Sequence, residues 1–248
     1  MVMACGLTVC LGTLTTPAAG ATVIHRPAHT FAAVRGTAYS TNWSGYADYN
    51  AQFTAAHAAW TQPDVTCASA GRSYAAFWVG LDGYTSDSVE QIGTDSDCAG
   101  TNRPVYYGWY EMYPAGSVNL SSARYPVSAG DAMSANVSVR GTSFTLVLSN
   151  ATRGWRFTTT QTSTTAQESS AEWVAEAPSS CFITCRVLPL ADFGTVTFTG
   201  GIVNNFGGTI SSSTHDAIVM VTPGNTIKAQ PGALTAYGTS FSDTWYHA

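Results

Sequence analysis

From Asn42 onward, hydrophobic and polar positions keep no 3.6-residue rhythm for as long as about a dozen residues. They form short runs instead, alternating or rich in β-branched side chains, separated by Gly, Pro, Asn and Ser. Residues 135–140, 144–149, 155–160, 172–176, 195–199 and 217–222 carry this signature and are predicted as strands, because a period of two sends alternate side chains to one face. Arg140-Gly141-Thr142-Ser143, between the first two, reads as a hairpin turn. The Thr- and Ser-dense stretch 158–165 reads as an exposed strand running into a loop. No repeat of fixed period appears. The predicted fold is all-β, a β-sandwich of two antiparallel sheets packed face to face.

The N-terminal residues differ in kind. Positions 2–14 are apolar and Ala19-Gly20-Ala21 supplies a small-x-small cleavage pattern, so residues 1–21 read as a secretory signal, although no Lys or Arg precedes the apolar stretch. Residues 22–38 carry His25, Arg26, Pro27, His29 and Arg35 and no acid, whereas all 15 carboxylates lie at Asp48 or later. This segment is expected to be a short basic leader or propeptide set against an acidic body. Residues 39–248 then form one domain, in a secreted protein expected to be a monomer.

Cleavage after Ala21 would remove Cys5 and Cys10 and leave Cys67, Cys98, Cys181 and Cys185. An even count in an exported chain suggests two disulfides, with three possible connectivities. Pairing Cys67 with Cys98 and Cys181 with Cys185 closes two local loops and is the expected arrangement. No CxxC pair with a nearby His supplies zinc-ligand spacing, so no metal and no cofactor is expected.

Composition narrows the function. With 248 residues the chain is long enough for a core that needs no metal. Lys228 is the single Lys and the Arg residues are scattered, which argues against nucleic acid as a partner. No apolar run reaches the roughly 18 residues of a membrane span. HExxH, GxSxG and the Asp-Thr-Gly or Asp-Ser-Gly triplets are all absent, which removes the sequence marks of zinc, serine and aspartic hydrolases. After the leader, His57, His215 and His247 stand in no triad context. A catalyst drawn from this inventory relies on carboxylates and amides, and Glu is scarce: Glu90, Glu111, Glu168, Glu172 and Glu176. Glu111 and Glu172 lie in strand-like, aromatic-rich runs, where burial raises a carboxyl pKa toward acid/base use.

Six segments, in order, resemble the glutamic peptidases known as eqolisins. They are Asn42-Trp43-Ser44-Gly45-Tyr46, Phe77-Trp78-Val79-Gly80-Leu81-Asp82-Gly83, Gln91-Ile92-Gly93, Trp109-Tyr110-Glu111-Met112-Tyr113-Pro114, Ala171-Glu172-Trp173-Val174-Ala175-Glu176 and Ala191-Asp192-Phe193-Gly194. The resemblance spans about residues 41–222. It implies a concanavalin A-like sandwich and an acid endopeptidase acting on polypeptides with a Gln/Glu catalytic pair, placed by motif on Gln91 and Glu172. It also implies cleft-lining or bracing roles for Trp78, Asp82, Trp109, Glu111 and Tyr113. The family's Leu-Gln-Thr-Gly is replaced by Glu90-Gln91-Ile92-Gly93, which sets an extra carboxylate beside the glutamine in sequence.

That pair suits peptide hydrolysis. An ionised Glu can take a proton from water and pass it to the departing nitrogen, while the Gln amide donates to the developing oxyanion. Neither group is a His, so the pair keeps working in acid. Two other functions fit an aromatic-rich sandwich: a glycosidase using Glu111 and Glu172, and a non-catalytic glycan-binding module.

Overall fold

Two antiparallel sheets account for most of the regular structure in the computed structural model, which describes residues 22–27, 30–31, 36–68, 71–100, 103–181 and 183–248. The expected signal segment, residues 1–21, lies outside the described residues. In the first sheet the strands run side by side as Thr214–Val221, Trp43–Tyr49, Ser170–Glu176, Ala76–Leu81, Val89–Cys98 and Pro104–Tyr113. The second runs Thr195–Val203, Ala55–Thr61, Ala132–Arg140, Ser143–Asn150 and Trp155–Thr162. Thr195–Val203 belongs to both: its first half pairs with Phe241–Trp245 in the first sheet, and after an irregularity between Thr199 and Ile202 it pairs with Ala55–Thr61. Thr37–Ser40 departs from the antiparallel rule and lies parallel to Thr214–Val221.

Alternation sets the inner faces. Phe77, Val79, Leu81, Ile92 and Trp173 of the first sheet meet Met133, Ala135, Val137, Phe144, Leu146 and Leu148 of the second in one core. Each of the six segments predicted from the pattern forms a strand, most of them longer than the pattern alone marks. The hairpin turn is as expected: Arg140 pairs with Ser143, and Gly141 sits at φ 62°, where a glycine costs least. Trp155–Thr162 alternates half-buried and exposed and gives way to a loop, matching the Thr/Ser reading. Both local disulfides form, Cys67–Cys98 and Cys181–Cys185.

The periodic pattern did not foretell the burial of the first sheet's outer face. All ten positions of Val89–Cys98 are buried, and a second cluster containing Trp43, Trp78, Val89, Trp109 and Val174 covers that face. Polar residues there are held away from water.

Candidate active site

Directly paired residues in an antiparallel ladder point to the same side, so the register writes out the floor of the site. One row runs Glu172, Gly80, Gln91, Glu111 across four strands. The next runs Val174, Trp78, Gly93, Trp109, and a third runs Glu176, Ala76, Asp95, Tyr107. Small residues fill the middle of the floor and leave height above it. A Cβ on Gly80 would lie 2.9 Å from Cζ3 of Trp78 and 3.2 Å from Cβ of Gln91, so the missing side chain lets the indole lie over this position. The Trp78 ring thereby occupies the space between Glu172 and Gln91.

Residues 22–27 pass through this site. Thr22–Ile24 pairs antiparallel with Ser179–Cys181, and Ser117 Oγ donates to the Val23 carbonyl at 3.0 Å. His25 is fully buried and held at every polar atom but one. Its N–H donates to Glu111 Oε2 at 2.9 Å, its carbonyl accepts from Gln91 Nε2 at 2.7 Å, and Nδ1 lies 3.2 Å from Glu176 Oε2. Its ring stacks on Trp109 with centroids 3.5 Å apart and planes within 3°. Beyond it, the Arg26 carbonyl accepts from Trp43 Nε1 at 2.9 Å and from Asn42 Nδ2 at 3.3 Å, and Asn42 Nδ2 also reaches the Pro27 carbonyl at 3.3 Å.

The surrounding carboxyls form one electrostatic group. Burial raises Glu111 to about 9, helped by the neighbouring charges of Glu176 and Asp95 and opposed by the His25 N–H. Glu176 is pushed well above the carboxylate range by burial, eased first by the Trp78 indole and then by the Arg26 backbone N–H, the Asn42 side chain and the Trp43 indole. Trp78 Nε1 donates to Glu176 Oε2 at 2.9 Å. Asp95 is raised to about 8 by burial and by Asp97. It accepts from Trp109 Nε1 at 2.6 Å and from the Tyr107 hydroxyl at 2.8 Å, and so fixes the indole on which His25 rests. Burial lowers His25 to about 4, so the imidazole is neutral at neutral pH.

The residues expected from the sequence separate into two groups. Gln91, Glu111 and Trp109 converge on His25, and Trp78 reaches it through Glu176. Glu172, in the same row as Gln91, makes no contact with residues 22–27; burial raises its pKa, the Ser170 hydroxyl opposes the rise, and the charges of Asp82, Asp48 and Glu90 add to it. Asp82 ties down a loop: its carboxylate accepts from the backbone N–H groups of Gln167 (2.8 Å), Glu168 (2.9 Å) and Ser169 (2.9 Å). Its backbone stands at φ 70°. Tyr113 is half-buried against the tryptophan cluster. Glu90 does not extend the carboxylate group beside Gln91. Successive residues of a strand face opposite ways, and Glu90 pairs with Leu81 and Met112 instead. Asp192 makes an isolated bridge with Thr66, as a strand-edge residue would.

Glu176, Asp95 and His25 were not singled out from the sequence. A signal for the first two existed: Gln91 and Asp95 are four apart on one strand, as are Glu172 and Glu176 on another, so each pair shares a face. His25 carried no such signal. Among the described residues no group of three His, Cys, Asp or Glu side chains is arranged to hold a metal ion.

Comparison with known proteins places the sequence and the fold. The chain is 30% identical over 205 residues to aspergillopepsin-2 of Aspergillus niger, covering 73% of this chain and 70% of that one. Its fold is similar to scytalido-glutamic peptidase solved with a transition-state analog inhibitor (TM-score 0.72, 24% identity, 83% of this chain and 98% of that one). Aspergilloglutamic peptidase from Aspergillus niger is also similar, with TM-score 0.60 and 26% identity over 70% of this chain and 99% of that one. So is SCP-B, an eqolisin solved with the tripeptide Ala-Ile-His (TM-score 0.67, 22% identity, 83% and 98%). Residues 41–241 match the Peptidase A4 family, and with that match covering most of the sequence the chain belongs to this family of glutamic peptidases.

Proposed function

We propose that this glutamic endopeptidase is a secreted acid enzyme in which Gln91 and Glu176 act on the two sides of the scissile peptide bond. The observation that carries this reading is a single peptide unit in the cleft: Gln91 donates to the His25 carbonyl oxygen, while Glu176 interacts with the N–H of Arg26, the other half of the same amide. An oxyanion donor belongs on the carbonyl oxygen and a proton donor belongs beside the leaving nitrogen. Glu172 holds neither place.

In the proposed cycle Glu176 accepts a proton as water attacks the carbonyl carbon, the Gln91 amide stabilises the oxyanion, and Glu176 returns the proton to the amine. Gln91 Oε1 and Glu176 Oε1 are buried and accept no hydrogen bond among the described residues, so each retains capacity for the protons of water. Burial favours the protonated Glu176 that hands its proton to the leaving nitrogen, while the donors around it, Trp78 first and then the Arg26 N–H, Asn42 and Trp43, favour the ionised form that takes a proton from water. Glu111 takes the N–H of the residue before the scissile bond, Trp109 offers a flat wall to that residue's side chain, and Trp78 orients Glu176. Asp82 serves at a distance, through the loop it braces.

A glycosidase pairing Glu111 with Glu172 fits less well. The two stand at opposite ends of one row, three strand spacings or about 14 Å apart along the sheet, whereas retaining carboxyls lie about 5 Å apart. Digestion of denatured protein in acid tests the proposal. Glu176→Gln is expected to lose roughly 10²–10⁴-fold in rate and Gln91→Ala about 10²–10³-fold, each with an unchanged circular dichroism spectrum. Full activity in a folded Glu176→Gln protein would refute the assignment.

A further inference from the structure

Lys228, the chain's single lysine, is buried to 6% exposure without a counter-charge. Its strand, Ile227–Pro231, explains why an ammonium group is turned inward. Against Thr214–Val221 the register shifts: Met220 pairs with Ala229 but Val221 pairs with Ile227, which leaves Lys228 as the extra residue of a bulge. A bulge re-aims a side chain, and here Lys228 and Ala229 are buried in succession where strict alternation would send one of them out. The backbone is fixed from the other side as well, since the Lys228 carbonyl accepts from the N–H groups of Tyr246 (2.8 Å) and His247 (3.1 Å). The side chain lines a cavity of about 700 Å³, within the range of small-ligand sites. Val187, Leu188, Val221 and Pro223 give this cavity apolar walls, and Arg186 is exposed among them. No Asp or Glu lines it, and among the described residues neither Lys228 nor Arg186 has a side-chain hydrogen bond or an ion pair. Burial lowers Lys228 to about 8, as befits an ammonium with no partner.

We propose that this cavity binds the free α-carboxylate of a peptide whose last side chain is apolar, with the carboxylate on Lys228 and Arg186 and the side chain against Val187, Leu188 and Val221. Two features choose this ligand. The first is complementarity: two cations with no acid between them call for an anion, and apolar walls call for an apolar body, which a hydrated inorganic ion lacks. The second is the reaction itself. Each peptide bond that a glutamic peptidase hydrolyses leaves one product with a new α-carboxylate, so the group accumulates wherever the enzyme works. An α-carboxylate titrates at about 3.3–3.7, below an alkyl carboxyl such as that of Glu at about 4.3, and so stays ionised further into acid. None of the catalytic groups lines the cavity. The inference therefore stands apart from the assignment of Gln91 and Glu176, and describes a holding site for peptide ends outside the cleft.

The test uses the full chain with N-acetyl-alanyl-leucine as probe, beside its C-terminal amide, octanoate and inorganic phosphate. Because Lys228 is the single lysine, acetylation of its ε-amine at about pH 8 is read without ambiguity from peptide mass. Saturating dipeptide acid is expected to slow that labelling by at least about tenfold, while the amide, octanoate and phosphate leave it within about twofold. Calorimetry at about pH 5 should show the dipeptide acid binding at least about tenfold more weakly to Lys228→Met and several-fold more weakly to Arg186→Gln. Lys228→Met keeps the shape of the side chain and removes only its charge, so it is expected to fold and to digest denatured protein within about twofold of the wild-type rate. If that variant fails to fold, the wild-type labelling and Arg186→Gln decide. Labelling that no probe slows, an amide that protects as well as the acid, or wild-type affinity in a folded Lys228→Met protein overturns the proposal. Equal protection by octanoate or phosphate overturns the peptide assignment, since the cavity would then take any anion. Loss of digestion in Gln91 or Glu176 variants bears on the catalytic assignment and leaves these readouts unmoved.

Discussion

Glu172 and Glu176 lie four residues apart on one strand and face the same side of the sheet, yet they keep different company. Glu176 has an indole N–H, an imidazole and a backbone amide around it, whereas Glu172 has the Ser170 hydroxyl and other acids nearby. Glu172→Gln is therefore expected to retain wild-type activity within about tenfold, in contrast to Glu176→Gln. Replacing this buried carboxyl with an amide also removes the cost of ionising it, so thermal melting at alkaline pH should improve.

Stability of the whole fold is expected to be greatest in acid. Burial raises Asp48, Glu90, Asp95 and Asp243 to about 8, Asp97 to about 7 and Glu111 to about 9, against ordinary values of 3.8 for Asp and 4.5 for Glu. Between the unfolded and folded values the native state binds more protons, so unfolding free energy falls as pH rises. The contribution is fully present below about pH 4 and is lost through about pH 9, with each carboxyl able to remove up to about 1.4 kcal/mol per pH unit. Melting temperatures measured from pH 3 to pH 9 should decline steadily across this window, and a rise toward neutrality would contradict the burial of these groups.

The seat of His25 responds to pH in the opposite sense. Its value drops from 6.5 in water to about 4 in the cleft, so the docked state prefers the neutral ring. Docking is fully supported above pH 6.5 and weakens as pH falls toward 4, by up to about 3 kcal/mol. The acids around the ring are Glu176, Glu111 and Asp95; the charge of Asp95 favours the imidazolium, but desolvation outweighs it. Hydrogen exchange at residues 23–26 should accelerate as pH is lowered from 7 to 4 by more than the intrinsic chemistry predicts.

Asp82 carries a structural load out of proportion to its size. It satisfies three backbone N–H groups at residues 167–169 and two hydroxyls, of Ser86 and Ser169. Asp82→Ala is expected to cost about 3–5 kcal/mol, near 10 °C in melting temperature for a chain of this length. Asp82→Asn should cost less, because Asn tolerates the positive φ and keeps one acceptor oxygen.

The Cys67–Cys98 bridge closes a loop of 31 residues. Replacing both cysteines with Ala should lower stability by about 3–4 kcal/mol on the chain-entropy account, measured by denaturant unfolding.

The sequence by itself determined the strands and the two-sheet architecture, and it favoured the local pairing of the cysteines among three connectivities. Those features depend on neighbours along the chain: alternation fixes which face a side chain takes, and Cys181 and Cys185 are only 4 residues apart, whereas the 31-residue span from Cys67 to Cys98 closes in the fold. The ordered segments also marked Gln91, Trp78, Trp109 and Glu111, because motif spacing along single strands survives translation into a row of contacts. Tertiary structure alone decided which of two glutamates on one face meets Gln91's peptide, since that depends on lateral neighbours from strands far apart in sequence and on where Trp78 folds over Gly80. It alone also decided that residues 22–27 lie in the cleft. No periodicity within six residues records a surface assembled from four other strands, and the desolvation that sets the pKa values of His25 and Glu176 exists only once that surface has closed.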